Sequence, residues 1–415
     1  MNSLTRQLVV IITIISILAQ PLFFSFMGLL GLEYEGADSS PIYVIYIVLI
    51  AALTVMAYLY SVFIKGFLWQ EVKLLLLILI LFSIHMLWVV FDPLNTELIP
   101  KHLIFFILFG LPGLLSAATI IKLKIIPQFI RTAEILFILI GCGIITFSVI
   151  PTFTGIKTAS LGGASYQVLS YYSALTFGML LFYVTKMPNS SRVSFSTAKW
   201  YQLIVYVIMA GCLVAVIIGG GRGAFLLLIA YLVLFFISRT KNLFGRFSYN
   251  DVIKQSILLM LGFLVTTASI NYFWEKDFIQ YGIKRATQFI SSEGGIDLKH
   301  GSSGRDVVYK TALNYIENSP VIGYGPFGYM ENTIQGHNIF LDVMLQFGIL
   351  GFPFFMAILI SVWARGVRNW TLHSAWVFSL LLYPLVMLMF SGVYLHTSLF
   401  IFGTSFFVIY KKSEG

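Results

Sequence analysis

The sequence predicts an all-α integral membrane protein with about twelve transmembrane helices and one long external loop that contains amphipathic helices. Of its 415 residues, 59% are hydrophobic and only 10% are charged, whereas soluble domains carry about a quarter charged residues. A chain this apolar cannot cover a globular surface with polar groups, so lipid is its natural solvent. Basic residues also recur in every second loop, which gives the helices a direction.

Twelve apolar stretches approach the roughly 20 residues that a helix needs to cross a bilayer. They lie at residues 7–30, 41–64, 73–91, 102–121, 126–150, 166–185, 200–219, 222–238, 252–271, 338–364, 372–391 and 394–410. The first stretch is too long for the apolar region of a signal peptide, so we expect it to be retained as a helix. Cys142 and Cys212 both lie inside apolar stretches, which argues against a disulfide framework.

The division at Gly219-Gly220-Gly221 is the least marked, because only three glycines separate two stretches. Charge supports it. With the N-terminus in the cytoplasm and twelve spans, most of the 26 lysines and arginines fall on cytoplasmic segments. Without this turn, Arg239, Lys241 and Arg246 would move outside. The net charge of +9 reflects the same bias and requires no nucleic-acid partner.

The chain is therefore predicted to form a single membrane domain in three parts. These are spans one to nine in 1–271, a long external loop in 272–337, and spans ten to twelve in 338–415. Within the loop, Val308, Ala312 and Ile316 recur at helical spacing and predict an amphipathic helix from Arg305 to Asn318. Such a helix suits the membrane surface. Ser319-Pro320 ends it, and a glycine-rich turn follows at 323–328.

Among the basic residues on the external side, where positive charge is disfavoured, Arg222 is the clearest functional candidate. It follows the three glycines and opens the next span. A guanidinium at a helix N-terminus offers a bidentate fork beside free N–H groups, which suits an anion. The alternative is an arginine that snorkels to anchor the helix. The flanking glycines favour the functional interpretation.

Other external cations add to this charge. Arg305 opens the predicted loop helix, where the alternative is a solvated residue paired with an aspartate. Lys284 and Arg285 form a basic pair after the ninth span, where the alternative is contact with lipid headgroups. Together with Arg222 these residues suit a phosphate-bearing ligand.

His337 and Asn338 begin the tenth span, at its external mouth. A histidine there can act as a general base at neutral pH. Asp342 lies four residues after Asn338 and so shares its helix face. An ionisable group inside a span is a functional candidate. The alternatives are an interfacial histidine and an aspartate hydrogen-bonded within the bundle.

Absent motifs narrow the chemistry. The sequence has no P-loop, no strand-linked G-x-G-x-x-G, no H-E-x-x-H or Cys/His metal spacing, and no G-x-S-x-G elbow. We therefore expect neither a nucleotide-powered transporter nor a metal- or cofactor-dependent enzyme, nor one with a covalent serine intermediate.

Several motifs, taken in order, resemble the O-antigen polymerase and O-antigen ligase superfamily. They are the runs Gly219–Ala224, Gly301–Asp306, Ser319–Gly325, Gly336–Asp342 and Gly348–Gly351. Glycines replace the serines of that family's S-x-S-R-G-A turn, and Gln346 stands where many members carry glutamate. The resemblance covers roughly residues 219–351, and upstream of it the chain matches only as a series of spans.

The resemblance implies a GT-C-type membrane glycosyltransferase in the bacterial inner membrane, with its site facing the periplasm. The implied donor is an undecaprenyl-diphosphate-linked oligosaccharide. Arg222 and Arg305 would then clamp the diphosphate without a metal, and His337 would activate the acceptor hydroxyl. The implied substrate-binding residues are Lys284, Arg285, Tyr324, Asn338 and Asp342, and a chain-length regulator is an implied protein partner.

The motifs favour a polymerase of O-antigen, capsule or exopolysaccharide repeats. A ligase that moves the glycan onto lipid A-core is the first alternative. A polysaccharide flippase or other transporter is the second, but it predicts charges at mid-membrane and paired Gly/Pro-broken spans. Here the unusual charges cluster at the external face, which favours an enzyme.

Overall fold

The computed structural model describes residues 2–27, 41–91, 103–155, 160–162, 164–187, 198–243, 280, 305–325, 338–368 and 371–410. Within these ranges the regular structure is helical, apart from an isolated bridge between Leu161 and Ala164. The helices are α1 Ser3–Ile17, α2 Ala19–Phe26, α3 Pro41–Lys65, α4 Trp69–Phe91, α5 Leu103–Lys122, α6 Ile126–Phe153, α7 Tyr166–Lys186, α8 Lys199–Gly219, α9 Arg222–Leu243, α10 Arg305–Asn318, α11 Ile339–Arg368, α12 Leu372–Leu388 and α13 Ser398–Ile409. 

Six of these helices are long and apolar enough to cross a membrane, namely α3, α5, α6, α7, α8 and α11. α1 and α2, which are separated by a break at Leu18, make a seventh if they are taken as one span. The predicted all-α membrane architecture is thus confirmed for the described residues. The predicted stretch at 252–271 lies outside them, and both the count of twelve spans and the external position of the loop stay predictions.

The predicted break at 219–222 is confirmed. α8 ends at Gly219, and Gly220 adopts a left-handed conformation with φ 64° while its N–H bonds the Val216 carbonyl. α9 begins two residues later at Arg222. Glycine enters this conformation without the steric penalty that a Cβ brings. The predicted helix from Arg305 to Asn318 is also confirmed, as α10.

The chain divides into two compact units. Unit 1 comprises Met1–Ala19, Pro41–Ile130 and Gly295–Gly415, and unit 2 comprises Gln20–Ser40 and Arg131–Gly294. Neither unit is continuous in sequence. α10 belongs to unit 1, together with α11, α12 and α13.

Unit 1 has an aromatic and small-residue core. Trp376 is fully buried and meets Phe129 edge-on, with the ring centroids 5.6 Å apart. Phe402 of α13 stacks on the other side of Phe129 at the same distance. α5 and α13 approach at backbone distance, since a Cβ on Gly113 would lie 2.3 Å from the Ser398 carbonyl oxygen. Small residues permit such close helix packing in membranes.

A buried ion pair joins α3, α4 and α5 in unit 1. Lys122 Nζ lies 3.0 Å from Glu71 Oε1, and neither side chain is exposed. Tyr58 donates its hydroxyl to the same carboxylate oxygen, and the ammonium lies 4.3 Å from the centroid of the Tyr58 ring. The Leu68 N–H reaches the second oxygen at 3.2 Å. A buried charge pair persists only when its partners satisfy it in this way.

Unit 2 packs α8 and α9 against α7 and the second part of α6. Tyr201 on α8 donates to Glu134 Oε1 at 2.9 Å in a buried contact with α6. The ring of Tyr231 on α9 fills the space above Gly178 of α7. Ser165 begins α7 by accepting the Val168 N–H, which is the usual role of a serine at a helix N-cap.

Two arginines at helix ends make long-range contacts. Arg6 donates to the Lys124 carbonyl. Arg365 donates to the carbonyls of Phe407 and Val408 at the end of α13, both at 3.1 Å. The charge count predicts a cytoplasmic position for Arg6, Lys124 and Arg365. 

The Glu71–Lys122 pair yields the first prediction. Lys122→Met leaves a carboxylate buried without its cation, so the unfolding free energy should fall by about 3 kcal/mol or more. Thermal unfolding in detergent micelles measures this. Glu71→Gln added to Lys122→Met should restore part of the loss. Lys73→Met is the matched control, because Lys73 is exposed on the same helix as Glu71. Equal melting temperatures for Lys122→Met and Lys73→Met would contradict the prediction.

Candidate functional site

The start of the glycine-rich turn after α10 is hydrogen-bonded to the backbone of α11, the next described helix. Four backbone hydrogen bonds join them: the Tyr324 N–H to the Leu345 carbonyl (2.8 Å), Gly325 N–H to Gln346 (2.8 Å), Ile349 N–H to Pro320 (2.9 Å), and Leu350 N–H to Val321 (3.1 Å). We call residues 320–325 the docking turn. Segments separated in sequence by the loop 326–337 are thereby fixed to each other.

These bonds replace two bonds that α11 would otherwise make to itself. In a continuous helix the Ile349 N–H would bond the Leu345 carbonyl, and the Leu350 N–H would bond Gln346. At Gly348 the helix leaves helical geometry, with φ 58° and ψ −162°. The docking turn takes over both freed carbonyls and both freed N–H groups. The break therefore leaves these four polar groups paired, which apolar surroundings require.

Two glycines allow the exchange. The dihedrals of Gly348 fall in a region that only glycine populates readily, and a Cβ there would lie 2.4 Å from the Val321 carbonyl carbon. A Cβ on Gly323, at φ 65°, would lie 2.6 Å from the Leu345 carbonyl oxygen. The motif glycines of the sequence are thus required for a close backbone approach.

α10 packs by its apolar face inside unit 1. Ala312 is 1% exposed and clusters with Phe106, Leu345 and Val393, and Ile316 packs against the same group. The predicted apolar face is thus correct. Ala312 therefore has apolar partners within the protein, on α5 and α11, while the position of α10 at the membrane surface stays a prediction.

Tyr324 of the docking turn contacts Tyr315 of α10. Its hydroxyl donates to the Tyr315 carbonyl at 2.9 Å, and the two rings meet edge-on with centroids 5.9 Å apart. Burial raises the pKa of the Tyr324 hydroxyl, which keeps it protonated as a donor. These contacts hold the docking turn against α10.

Arg305, at the first position of α10, reaches across to the end of α12. One of its N–H groups donates to the Phe390 carbonyl at 2.8 Å. The guanidinium carbon lies 5.4 Å from the centroid of the Phe390 ring, within cation–π range. A carbonyl at a helix C-terminus is a favourable partner for a cation. The guanidinium is thus held at the junction of α10 and α12 by one of its N–H donors.

The first turn of α11 is fixed by Asn338. Its side-chain oxygen accepts the N–H groups of Phe340 (3.0 Å) and Leu341 (3.4 Å), which makes it the N-cap. Asp342, one turn later, is 1% exposed. The predicted shared face of these two residues is confirmed, because the Asp342 N–H bonds the Asn338 carbonyl at 2.9 Å.

A second buried polar contact lies one turn further along α11. Gln346 is fully buried, and its side-chain oxygen accepts the Tyr394 hydroxyl. Tyr394 is 5% exposed and lies in the short helical turn Tyr394–His396 between α12 and α13. The amide supplies an acceptor at this position without a negative charge, so the departure from glutamate keeps a hydrogen bond and removes a buried carboxylate.

Arg222 lies in unit 2 at the start of α9, half-buried. The turn before it rests on α7, because the Gly221 N–H donates to the Ser170 hydroxyl at 3.1 Å. The Gly221 carbonyl accepts the N–H groups of Ala224 (2.9 Å) and Phe225 (3.2 Å), which starts α9. The predicted helix N-terminus at Arg222 is confirmed.

Three predicted site residues, His337, Lys284 and Arg285, lie outside the described residues. Among the described ranges, no group of three or more His, Cys, Asp and Glu side chains could hold a metal ion. The roles of all eight predicted site residues stay proposals.

Sequence reasoning missed Phe390, Tyr394 and Ser170. Each is an unremarkable residue of an apolar stretch, and each contacts a motif residue that is 48 to 85 positions away in sequence. The signal that could have found Ser170 is the triple glycine itself, since missing side chains imply a neighbour that occupies their volume. Nothing in the sequence points to Phe390.

The docking turn gives a second prediction. Gly348→Ala combines glycine-only dihedrals with a collision, so the unfolding free energy should fall by about 3 kcal/mol. Gly66→Ala is the matched control: Gly66 also has positive φ, 69°, but nothing lies within 4 Å of its Cβ position. We expect about 1 kcal/mol there. Melting temperatures in micelles compare the two, and equal shifts would contradict a required close approach.

The Gln346–Tyr394 contact gives a third prediction. Tyr394→Phe removes the donor and leaves a buried amide oxygen without it, so stability should fall by about 1–2 kcal/mol. Tyr60→Phe, at a half-buried tyrosine of α3, is the control. Denaturant unfolding in micelles measures both variants. A Tyr394→Phe protein as stable as the wild type would show that the contact contributes nothing.

Comparison with known families gives one match. Residues 205–356 match the family model Wzy_C, described as O-antigen ligase. The match extends from α8 through the loop to the middle of α11, so it contains the Arg222 turn, α10, the docking turn and the N-terminal half of α11. Among curated proteins, no relative matches the chain. The family match confirms the predicted resemblance to the O-antigen polymerase and O-antigen ligase superfamily.

Proposed function

We propose that this chain is a membrane glycosyltransferase that polymerises lipid-linked glycan repeats of an O-antigen, capsule or exopolysaccharide. The donor is an oligosaccharide on undecaprenyl diphosphate, and the acceptor is a second lipid-linked repeat unit. The protein lies in the bacterial inner membrane, and its site lies on the periplasmic face. The observation that carries the proposal is the family match over 205–356, because one segment contains every motif with candidate chemistry.

The reaction is a displacement at the anomeric carbon of the donor sugar. The acceptor hydroxyl forms the new glycosidic bond and loses its proton to His337, which acts as general base. The bond between the anomeric carbon and the diphosphate oxygen breaks, and undecaprenyl diphosphate leaves with the bonding electron pair. A single displacement inverts the anomeric configuration.

Negative charge grows on the diphosphate as this bond breaks. Arg305 is suited to stabilise it, because one N–H holds its guanidinium at the Phe390 carbonyl and a guanidinium carries five N–H donors in all. Arg222 is suited to the same chemistry, since it combines a guanidinium with the N-terminus of α9. Lys284 and Arg285 add positive charge. In this proposal the arginines supply the electrostatics that a divalent metal supplies in other glycosyltransferases.

The described contacts favour supporting roles for three further residues. Asn338, which follows His337 in the sequence, caps α11, Asp342 is buried one turn further along α11, and Tyr324 fixes the docking turn. We propose that these residues set the position of the general base and of α10, and that they shape the glycan-binding surface.

A ligase is the second candidate, which the description of the matching family favours. The chemistry at the donor is the same, and only the acceptor differs, since a ligase passes the glycan to lipid A-core. Vesicles that contain lipid-linked repeats as the sole glycan distinguish the two. A polymerase forms a ladder of longer lipid-linked chains there, whereas a ligase forms product only after lipid A-core is added. A regulator of chain length would change the ladder's distribution without being needed for bond formation.

The fourth prediction tests the site directly. Arg222→Ala and Arg305→Ala should each lower the polymerisation rate in membrane vesicles about 10²- to 10³-fold, by analogy with loss of one oxyanion donor. His337→Ala should lower it by about 10²-fold or more, as expected for a lost general base. 

Lys310→Ala is the matched control, because Lys310 is an exposed cation on the same helix as Arg305. It should keep the wild-type rate, which separates a specific arginine from general surface charge. Near-normal chain length in all three site variants, at normal expression, would refute the assignment.

A further inference from the structure

Ser170 connects the start of α7 to the turn that precedes Arg222. Its side chain is fully buried. The hydroxyl oxygen accepts the Gly221 N–H at 3.1 Å and donates to the Tyr166 carbonyl, also at 3.1 Å. One hydroxyl therefore ties the α8–α9 turn to the helix beneath it.

The same hydroxyl occupies the space that side chains in the turn would need. A Cβ on Gly219 would lie 2.1 Å from Ser170 Oγ, and a Cβ on Gly221 would lie 2.8 Å from Ser170 Cβ. Real Cβ atoms do not tolerate such distances. Ser170 and the glycines are thus sterically complementary. α7 supplies the hydroxyl, and the turn contributes only backbone atoms to the contact.

These contacts fix the peptide from which Arg222 departs. The Gly221 N–H is held by Ser170, while its carbonyl accepts the first two N–H groups of α9. Gly220 is held on the other side by its bond to the Val216 carbonyl. The direction of the Arg222 side chain therefore depends on a peptide whose orientation Ser170 helps to set.

We propose that Ser170 is a positioning residue for the Arg222 guanidinium, which it aims at the diphosphate of the donor. The inference rests on the proposed function, because it requires that Arg222 acts on an anionic leaving group. Misplacement of a reacting group by about 1 Å can cost about 10²-fold in rate, so one lost positioning contact has a measurable effect.

The first test is Ser170→Ala in the vesicle polymerisation assay. It keeps the Cβ and removes only the hydroxyl. We expect kcat/KM for the lipid-linked donor to fall by about tenfold, as for the loss of one buried hydrogen bond that acts through an arginine. Ser173→Ala is the matched control: Ser173 is buried on the same helix, and its hydroxyl donates to the Leu169 carbonyl of that helix. It should stay within about twofold of the wild type.

A double-mutant cycle separates positioning from general stability. Arg222→Lys keeps a cation and should keep a measurable rate. If Ser170 acts through the guanidinium, Ser170→Ala should lower that residual rate by less than about twofold, because interacting residues are not additive. An undiminished tenfold loss in the Arg222→Lys background would overturn the proposal, as would wild-type kinetics for Ser170→Ala.

A swap of the hydroxyl gives an independent test. Gly219→Ser alone should lower activity strongly, because the new side chain collides with Ser170. Combined with Ser170→Gly, the collision with the Ser170 side chain disappears and a hydroxyl is supplied from the turn. The new Cβ still lies 2.8 Å from the Tyr166 carbonyl oxygen, so we expect the rate to recover in part, above that of Gly219→Ser alone. A polymerisation rate of the double variant no higher than that of Gly219→Ser alone would overturn the proposal. This holds even if Ser170→Ala lowered the amount of folded protein.

The outcomes also separate this inference from the proposed function. Full activity of Arg222→Ala would refute the roles of Arg222 and Ser170, and full activity of Arg305→Ala and His337→Ala as well would also refute the glycosyltransferase assignment. Loss of activity in Arg222→Ala with normal kinetics in Ser170→Ala would refute only the role of Ser170 and leave the glycosyltransferase assignment standing.

Discussion

An exchange of four backbone hydrogen bonds at Gly348 holds unit 1 in its observed form. It interrupts α11 and fills the interruption with the docking turn, so that no freed group in the exchange lacks a partner. Three candidate residues depend on it. Arg305 is the first residue of α10, the helix that precedes the docking turn, and Asn338 and Asp342 lie on the segment of α11 before the break. The exchange therefore connects a candidate anion-binding residue to the helix start beside the candidate base.

Both motif arginines follow the same physical plan in their separate units. Each lies at the N-terminus of a helix and is held through a residue that is distant in sequence. In unit 1 the Phe390 carbonyl accepts an N–H of the Arg305 guanidinium itself, and in unit 2 the Ser170 hydroxyl accepts the backbone N–H of Gly221, directly before Arg222. A long, flexible side chain loses less entropy on binding an anion when part of it is already fixed.

The buried polar contacts also show what each unit requires to fold in an apolar solvent. Glu71 and Lys122, Glu134 and Tyr201, and Gln346 and Tyr394 each pair groups from different helices. Apolar packing alone gives little specificity between helices in lipid, so small residues and polar pairs determine which helices are neighbours. The substitution of glutamine for glutamate at 346 fits this role, because a neutral acceptor costs less to bury than a carboxylate.

The sequence by itself determined the all-helical class, the break at 219–222 and the bounds of α10. Those features depend on hydropathy, on glycine and on local periodicity, all of which are readable within about twenty consecutive residues. Only the tertiary structure decided that α10 packs on α11, that Gly323 and Gly348 serve a backbone exchange, and that Ser170, Phe390 and Tyr394 contact the motifs. These contacts join residues far apart in the chain, and an apolar stretch carries no local signal of which helix it will face.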